Sequence, residues 1–356
     1  MRRRDLLTAG LGLAALPLTA RAGLAQARAS LGEAAAKAGI TFGTAFDQDV
    51  LADRGYADLI RAQARILTTD WSMKLAALRP NGPEVDYSGA ERLVRFAEAA
   101  RIPVRGHTLI WNESNPDWLA RLSRESRVGW LERHVAETMA RFAGRIHSWD
   151  VVNEPFWPDH GLRGGYRGGP WYDAMGPGYV PAAFRAAMKA DPNVKLVLNE
   201  AFTESADRLG LAVRRGLLRL VDEIRDAGLR LDAVGLQSHI VRGRPFDPVG
   251  WRQFLAELAA RGVEIWITEL DVDGAAFIGD AAERDARVAE VYRSVLTTAL
   301  DEPKVTTVIT WELADGFSHY RDQRDPEVRP LPFDRALKPK PAYDAMLAAF
   351  AARRRR

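Results

Sequence analysis

The fold class is set by Ser148-Trp149-Asp150-Val151-Val152-Asn153-Glu154-Pro155, whose pattern recurs in Val263-Glu264-Ile265-Trp266-Ile267-Thr268-Glu269-Leu270-Asp271. In each stretch a short run rich in β-branched and aromatic residues leads to a glutamate. Such a run predicts a strand that is buried on both faces, as in a parallel sheet. Glu154 and Glu269 are therefore expected at the carboxyl ends of two buried strands.

Short β-rich runs alternate with longer helical stretches from about residue 38 onward. The predicted strands are 40–45, 64–69, 104–110, 146–152, 195–199, 233–237, 264–268 and 305–310. The predicted helices include 87–100, 127–142, 181–190, 206–227, 248–261, 281–300 and 341–352. Eight strands with intervening helices predict an α/β fold, a single (β/α)8 TIM barrel. The Gly- and Pro-rich segment 161–181 is predicted to be a long loop over the C-terminal face of that barrel.

Length and composition agree with this fold. The chain has 356 residues, of which 47% are hydrophobic and 27% are charged, as in an ordinary globular protein. A barrel of this kind takes about 250 residues or more, and neither a Pro/Ser-rich linker nor an internal repeat suggests a second domain. The chain has no cysteine, which excludes disulfides and thiolate metal sites.

The N-terminus has the features of an export signal. Arg2, Arg3 and Arg4 precede an apolar stretch at 6–20, and Ala20-Arg21-Ala22 has the small-x-small form of a cleavage site. The arginine pair before the apolar stretch predicts a twin-arginine signal over residues 1–25. The alternative is a membrane anchor, but about 15 apolar residues fall short of the roughly 20 that span a bilayer. We therefore expect a periplasmic or secreted protein with no membrane contact after cleavage.

The net charge gives no reason to expect a nucleic-acid partner. Residues 1–22 carry a net charge of +3, which equals the formal net charge of the whole chain, so the mature protein is formally neutral. Residues 353–356 are predicted to form a solvated basic tail. This leaves residues 26–352 for the barrel domain.

Polar and aromatic residues end or closely follow six of the eight predicted strands. They are His107, Trp111, Asn153, Glu154, Glu200, Gln237, His239, Glu269, Asp271, Trp311 and Asp315. A single one of them would fit a helix cap or a surface position, but in this fold the chemistry lies at the carboxyl ends of the strands. Two carboxylates at that face are the minimum equipment for cleaving a glycosidic bond.

Five motifs carry a resemblance to a known family. They are Arg105-Gly106-His107-Thr108-Leu109, Trp149-Asp150-Val151-Val152-Asn153-Glu154, Gly235-Leu236-Gln237-Ser238-His239, Thr268-Glu269-Leu270-Asp271 and Lys338-Pro339-Lys340-Pro341-Ala342-Tyr343. In this order and spacing the chain resembles glycoside hydrolase family 10, the endo-β-1,4-xylanases, from about Thr41 to Tyr343.

The resemblance implies a role for each residue of the predicted centre. Glu154 matches the general acid/base and Glu269 the nucleophile of a retaining double displacement. Asn153 matches the residue that holds the 2-hydroxyl of the sugar. His239 matches the histidine that hydrogen-bonds the nucleophile, and Asp271 the carboxylate that orients this histidine.

The resemblance also implies the substrate and its contacts. The implied substrate-binding residues are Lys74, His107, Trp111, Gln237 and Trp311. Their aromatic rings offer flat apolar faces suited to sugars. The implied activity is that of an endo-1,4-β-xylanase that hydrolyses xylan without a cofactor or metal, and we expect a monomer whose partner is the polysaccharide.

The departures from the family pattern lie in the sugar-binding walls. Asp70-Trp71-Ser72-Met73-Lys74 stands where family members have Glu-Asn-x-Met-Lys, and Asn112 stands where they have His. Asn199-Glu200-Ala201-Phe202 replaces Asn-Asp-Tyr-Asn, and His319 replaces a second Trp. Asp70, Trp71 and His319 are therefore expected to contact a substrate whose sugar the sequence leaves open.

Three alternatives stand beside the xylanase. One is an endo-β-glycosidase for another polysaccharide, such as a bacterial exopolysaccharide or a β-glucan. Another is a non-catalytic carbohydrate-binding barrel, which would have no need of the intact pair Glu154 and Glu269. The third is a metal-dependent hydrolase, which is disfavoured because His107 and His239 lie on different strands without HxH or HExxH spacing.

Overall fold

The computed structural model describes residues 29–320 and 328–353. The predicted export signal, 1–25, lies outside the described residues. So do residues 354–356 of the predicted basic tail, whereas Arg353 is the last residue of a helix. None of the helices in the described ranges combines the length and the apolarity that a bilayer crossing needs.

A closed parallel barrel organises the described part of the chain. Its strands are β1 (Thr41–Phe46), β2 (Leu67–Thr69), β3 (Val104–Gly106), β4 (Ile110–Trp111), β5 (Ser148–Asn153), β6 (Lys195–Glu200), β7 (Ala233–Leu236), β8 (His239–Ile240), β9 (Glu264–Val272) and β10 (Val305–Thr310). The order around the barrel is β1, β2, β3, β5, β6, β7, β9 and β10, and β10 pairs with β1 to close it. The short strands β4 and β8 pair only with β5 and β9. The predicted (β/α)8 barrel is confirmed.

Helices surround this barrel. They are α1 (Leu31–Lys37), α2 (Asp49–Ala52), α3 (Arg54–Gln63), α4 (Leu75–Leu78), α5 (Ser88–Ala100), α6 (Asp117–Ala120), α7 (Arg124–Arg141), α8 (Pro170–Met175), α9 (Tyr179–Ala190), α10 (Arg208–Asp226), α11 (Pro248–Ala260), α12 (Ala281–Leu300) and α13 (Pro341–Arg353). Each long helix buries one face. In α10 the buried Leu209, Val213, Leu217 and Leu220 recur every three or four residues, which places them on one side.

The observed helices and strands agree with the predicted ones, except in segments that are polar or rich in glycine and proline. The predicted segments 281–300 and 305–310 match α12 and β10. The predicted loop 161–181 is wrong in part, because it contains α8 and the first residues of α9. Pro170 at the first position of α8 fits a helix start, since its missing N–H would have no helical partner there.

The chain leaves the C-terminal face of the barrel through left-handed backbone at several strand ends. Glu154 has φ +48°, Ser238 has φ +62° and Glu312 has φ +72°. Non-glycine residues adopt this conformation at a cost of about 1–3 kcal/mol, and such strain is typical of functional sites. These turns set the direction of the side chains above the barrel.

The closing motif has a structural role in this fold. The ammonium group of Lys340 lies 2.9 Å from Oδ2 of Asp315, and both side chains are buried. The backbone N–H of Leu331 donates to Oδ1 of Asp315 at 3.0 Å. Asp315 therefore anchors the segment after β10 and does not reach the cavity described below.

Candidate active site

A cavity of about 360 Å³ opens at the carboxyl ends of the barrel strands. Most of the predicted site residues line it, namely Lys74, His107, Trp111, Asn153, Glu154, Gln237, His239, Glu269, Trp311 and His319. Asp70 and Trp71 line an adjoining cavity of about 390 Å³, which shares His319 with the first. A larger cavity of about 620 Å³ beside Phe246 and Phe277 contains neither predicted catalytic carboxylate, so its size does not indicate the chemistry.

The two glutamates are joined by a chain of hydrogen-bonded side-chain amides. Nε2 of Gln237 donates to Oε1 of Glu154 at 2.8 Å and to Oδ1 of Asn153 at 3.3 Å. Nδ2 of Asn199 donates to the same oxygen of Asn153 at 2.8 Å and to Oε1 of Glu269 at 2.7 Å. Residues from β5, β6 and β9, with Gln237 directly after β7, thus fix the positions of both carboxylates.

Glu269 is held as a carboxylate. It is buried, and its Oε2 lies 3.1 Å from Nε2 of His239. Burial alone would raise the pKa of Glu269, but the hydrogen bond from His239 and the neighbouring His107 and Arg105 lower it to about 2. An ionised, oriented carboxylate at this position is suited to nucleophilic attack.

His239 bridges two acidic side chains. Its Nδ1 lies 3.0 Å from Oδ1 of Asp271, and its Nε2 faces Glu269. Burial alone would lower the pKa of His239, but Asp271 and Glu269 outweigh that effect and raise it well above its ordinary value. The positively charged ring keeps a hydrogen-bond donor on Glu269.

A buried ion-pair cluster supports the floor of the cavity. Nε of Arg105 donates to Oδ1 of Asp150 at 2.9 Å, and Nδ1 of His107 lies 2.6 Å from Oδ2 of the same carboxylate. Arg105 and Asp150 are fully buried. Asp150 therefore fixes the ring of His107 at the cavity. Both supporting residues stand inside the motifs that carry the family resemblance, but strand-end position alone did not single them out.

Arg167 reaches Glu154 from the Gly-rich segment and was not predicted as a site residue. Its guanidinium lies 2.9 Å from Oε2 of Glu154, and its Nε donates to the backbone carbonyl of Glu154 at 3.0 Å. It also pairs with Glu113 and lies 4.7 Å from the ring centre of Trp157. An arginine within a Gly-rich loop carries no sequence signal for such a contact, because the contact depends on how the loop folds back over the barrel.

Glu200 and Asn112 lie behind the cavity wall. Glu200 is fully buried and accepts hydrogen bonds from the backbone N–H groups of Phe156 and Ala201 at 3.1 and 2.8 Å. Burial first, and the charge of Glu154 second, raise the pKa of Glu200 well above its ordinary value. Asn112 accepts from the backbone of α8, and neither residue lines the cavity.

Aromatic rings and one lysine form the side walls. Nζ of Lys74 lies 5.1 Å from the ring centre of Trp111, 6.0 Å from that of Trp311 and 3.6 Å from Oδ1 of Asp70. Trp71 is 48% exposed, which makes it one of the few large apolar side chains at the surface of the described residues. These flat faces beside hydrogen-bonding groups are suited to sugar rings.

A closed parallel barrel with two glutamates at its carboxyl ends, one ionised and both held by amides, is the arrangement of a glycoside hydrolase. The sequence model of Glycosyl hydrolase family 10 matches residues 30–349. The chain therefore belongs to glycosyl hydrolase family 10, and it is an enzyme that acts on O-glycosyl bonds.

Relatives of similar sequence extend over most of this chain. Endo-1,4-beta-xylanase C of Phanerodontia chrysosporium is 30% identical over 327 residues, which are 91% of this chain and 79% of the relative. Endo-1,4-beta-xylanase B of Thermotoga neapolitana is 32% identical over 294 residues, which are 82% of each chain. The crystal structure of xylanase 10B from Thermotoga maritima superposes with a TM-score of 0.82 at 30% identity and covers 92% of this chain and 99% of that one.

Proposed function

We propose that the chain is an endo-1,4-β-xylanase that cleaves its polysaccharide with retention of anomeric configuration. The observation that carries the proposal is the amide chain that joins Glu154 to Glu269 across the cavity. It links two carboxyl groups, in different hydrogen-bonding environments, that line one cavity. The names of the relatives, all endo-1,4-beta-xylanases, support xylan as the substrate.

In the first half of the reaction Glu269 attacks the anomeric carbon. Glu154 donates its proton to the glycosidic oxygen as that bond breaks, so the leaving chain departs as an alcohol. The product is a covalent glycosyl ester on Glu269. Asn153 lies between the two carboxylates, where its amide can hold the 2-hydroxyl of the sugar as positive charge develops on the ring.

In the second half a water molecule attacks the glycosyl ester. Glu154, now a carboxylate, takes a proton from this water, and Glu269 leaves as a carboxylate. The two inversions restore the starting configuration. Gln237 contacts Glu154 through a neutral N–H donor, and this contact can persist in both halves of the cycle.

Removal of either carboxylate tests these roles. Glu269→Gln keeps the size of the side chain, so we expect the rate on xylan to fall by several orders of magnitude while the fold is retained. Azide should rescue Glu269→Gly and give the inverted glycosyl azide. For Glu154→Ala we expect a loss of roughly 10²–10⁴-fold on xylan and a much smaller loss in the formation of the glycosyl-enzyme from a dinitrophenyl glycoside, whose leaving group needs no proton.

The measurements are reducing-end release from a panel of polysaccharides and product stereochemistry by NMR. The wild-type chain should act on xylan from within and release the β-anomer first. Initial release of the α-anomer from a β-linked substrate would contradict the retaining assignment. Activity on a β-glucan with none on xylan would contradict the substrate while leaving the mechanism intact.

A further inference from the structure

The two carboxyl oxygens of Glu154 are held by partners of different charge. Nε2 of Gln237 donates to Oε1 at 2.8 Å, whereas Nη2 of Arg167 lies 2.9 Å from Oε2. Nε of Arg167 donates to the backbone carbonyl of Glu154 at 3.0 Å, and its backbone N–H donates to the carbonyl of Pro155 at 2.8 Å. Arg167 therefore fixes both the carboxyl group and the backbone turn that carries it.

The guanidinium of Arg167 is itself fixed. The side chain is only 4% exposed, and the guanidinium lies 4.7 Å from the ring centre of Trp157, within the range of a cation–π contact. Its Nη1 pairs with Glu113, whose side chain is 52% exposed. A planar guanidinium presents its donors in a rigid fork, so one arginine can bridge two carboxylates in this way. The positive charge is therefore shared between Glu154 and Glu113.

The other charged and titratable side chains around Glu154 come from several elements of the barrel. Glu200 lies behind the cavity wall, and after burial the charge of Glu154 is the next cause that raises the pKa of Glu200. Among the described residues, Arg167 is the one cation paired with the Glu154 carboxylate. Its removal would therefore change the charge beside Glu154 most directly. The remaining groups of this kind line the same cavity, namely Lys74, His107, Glu113, His239, Glu269 and His319.

The two halves of the proposed reaction make opposite demands on Glu154. In the first half it must hold a proton, and in the second it must be a carboxylate that takes a proton from water. A positive charge within about 4–6 Å favours the ionised form of a carboxyl group. A cation paired with Glu154 alone would favour early loss of the proton, whereas a cation shared with Glu113 acts less strongly. The shared position suits a group that serves first as acid and then as base.

We propose that Arg167 is a positioning residue that orients the carboxyl group of Glu154 and, through a charge shared with Glu113, sets the pH above which the general acid is lost. This inference rests on the proposed function of Glu154. Arg167 acts through Glu154 and takes no part in bond breaking itself.

The alkaline limb of the pH profile tests this role. For kcat/KM, that limb reports loss of the proton from the acid of the free enzyme. The substrate is phenyl β-xylobioside, whose leaving group needs a proton. In Arg167→Gln we expect the limb to move to higher pH by about 1 unit, since an opposite charge at this distance changes the proton affinity of a carboxyl group by roughly 1–3 units. With dinitrophenyl β-xylobioside, whose leaving group needs no proton, the limb should be weak or absent in both proteins.

Three further variants separate charge from shape. Arg167→Lys keeps the charge but loses the fork, so its limb should lie closer to that of the wild type than the limb of Arg167→Gln does, while kcat falls. Glu113→Gln leaves the whole charge of Arg167 to Glu154 and should move the limb to lower pH. Arg163→Gln removes the same charge from an exposed position in the same segment, and it should leave both the limb and kcat unchanged.

The proposal is overturned if Arg167→Gln leaves the limb in place or lowers it, if Arg167→Lys shifts it as far as Arg167→Gln, or if Glu113→Gln does not lower it. An equal shift in Arg163→Gln would overturn it too, because the effect would then not depend on the contact with Glu154. The position of a limb does not depend on the amount of folded enzyme. If Arg167→Gln does not fold at all, Glu113→Gln decides, since Glu113 is half exposed. The anomer that is released first is measured separately, so failure here leaves the retaining assignment untouched.

Discussion

His319 and Trp71 stand where the family resemblance implies a tryptophan and an asparagine, and both lie at the cavity that adjoins the catalytic one. His319 lines both the catalytic cavity and the adjoining one, whereas Trp71 lines only the latter. An imidazole is smaller than an indole, so we propose that the wall near C5 of a bound sugar has more room for the hydroxymethyl group of glucose. Trp71 replaces an amide donor by an exposed apolar face.

These two residues should change the choice of sugar without changing the chemistry. We expect the ratio of kcat/KM for glucose- over xylose-configured aryl β-disaccharides to exceed that of a family member with the usual residues. His319→Trp should lower this ratio. Trp71→Asn should raise xyloside turnover, since one hydrogen bond to a neutral partner contributes about 0.5–1.5 kcal/mol.

The measurement is the pair of kcat/KM values for each variant. Leu211→Ala, a change to an exposed side chain on α10, provides a control that should leave both values unchanged. If neither His319→Trp nor Trp71→Asn alters the ratio and the wild type acts strongly on plain xylan, the two departures do not set specificity.

The segment 161–181 is held in place by the buried side chain of Asn112. Oδ1 of Asn112 accepts the backbone N–H groups of Trp171 and Tyr172 at 3.1 and 3.2 Å, which satisfies the first turn of α8. Nδ2 of Asn112 donates to the carbonyl of Arg167 at 3.4 Å. The residue that replaces the family histidine therefore anchors the loop that carries Arg167 to Glu154.

Asn112→Ala should loosen this element and lower both stability and activity. The buried N–H of Trp171 and the half-buried N–H of Tyr172 would lose their acceptor, and an unsatisfied buried group costs about 1–3 kcal/mol. Urea denaturation measures the loss of stability. Asn193→Ala, at an exposed position, is the matched control and should stay within about 0.5 kcal/mol of the wild type. Equal midpoints for the two variants would show that Asn112 does not support the loop.

The elements that the sequence predicts correctly are those with a strong local pattern. β-Branched runs give the barrel strands, and α12 begins at an acidic cap, Asp280, with Glu283 completing the capping box. Helix α3 was given no bounds from the sequence, where its buried residues Tyr56, Ala57 and Ile60 stand in an otherwise polar segment. The contacts of Asn199 and Arg167 were missed for another reason, since they join residues on different elements and leave no local pattern.

The stability of the whole barrel should depend on pH through His134. This residue lies on α7 and is fully buried. Burial, and then the charge of Arg79, lower the pKa of His134 from 6.5 to about 3. The unfolded chain therefore takes up a proton that the folded chain excludes, so stability that is present above pH 6.5 is lost as the pH falls toward 3.

Between pH 7 and pH 5 this single group should remove about 2 kcal/mol from the free energy of unfolding. His134→Gln removes the titration, so the difference in free energy between variant and wild type should shift in favour of the variant by that amount over the same interval. Denaturation curves at both pH values give, for each protein, the slope of the free energy of unfolding against pH. Parallel slopes for variant and wild type would mean that His134 does not titrate in this way.

We propose that the protein is exported after cleavage of its N-terminal signal and that the mature protein begins near Gly23 or Gln26. Cleavage there leaves the first cap intact, because the Ser30 side chain and Glu33 form the capping box of α1 and Tyr343 donates to the carbonyl of Ala29 at 2.6 Å. Mass spectrometry of periplasmic or secreted material should find this N-terminus. Recovery of chains with an intact Met1 from the cytoplasm would contradict export.

The amide chain between the two glutamates contains only Gln237, Asn153 and Asn199, none of which can gain or lose a proton in the range where proteins are stable. The distance across the bond-breaking centre is thus insulated from solvent conditions and from changes on the outer walls. Enzymes of this architecture can change the sugar they bind by mutation of wall residues such as His319 and Trp71 and keep the same catalytic chemistry. Directed evolution toward new glycans should accordingly vary these wall residues and leave the three amides unchanged.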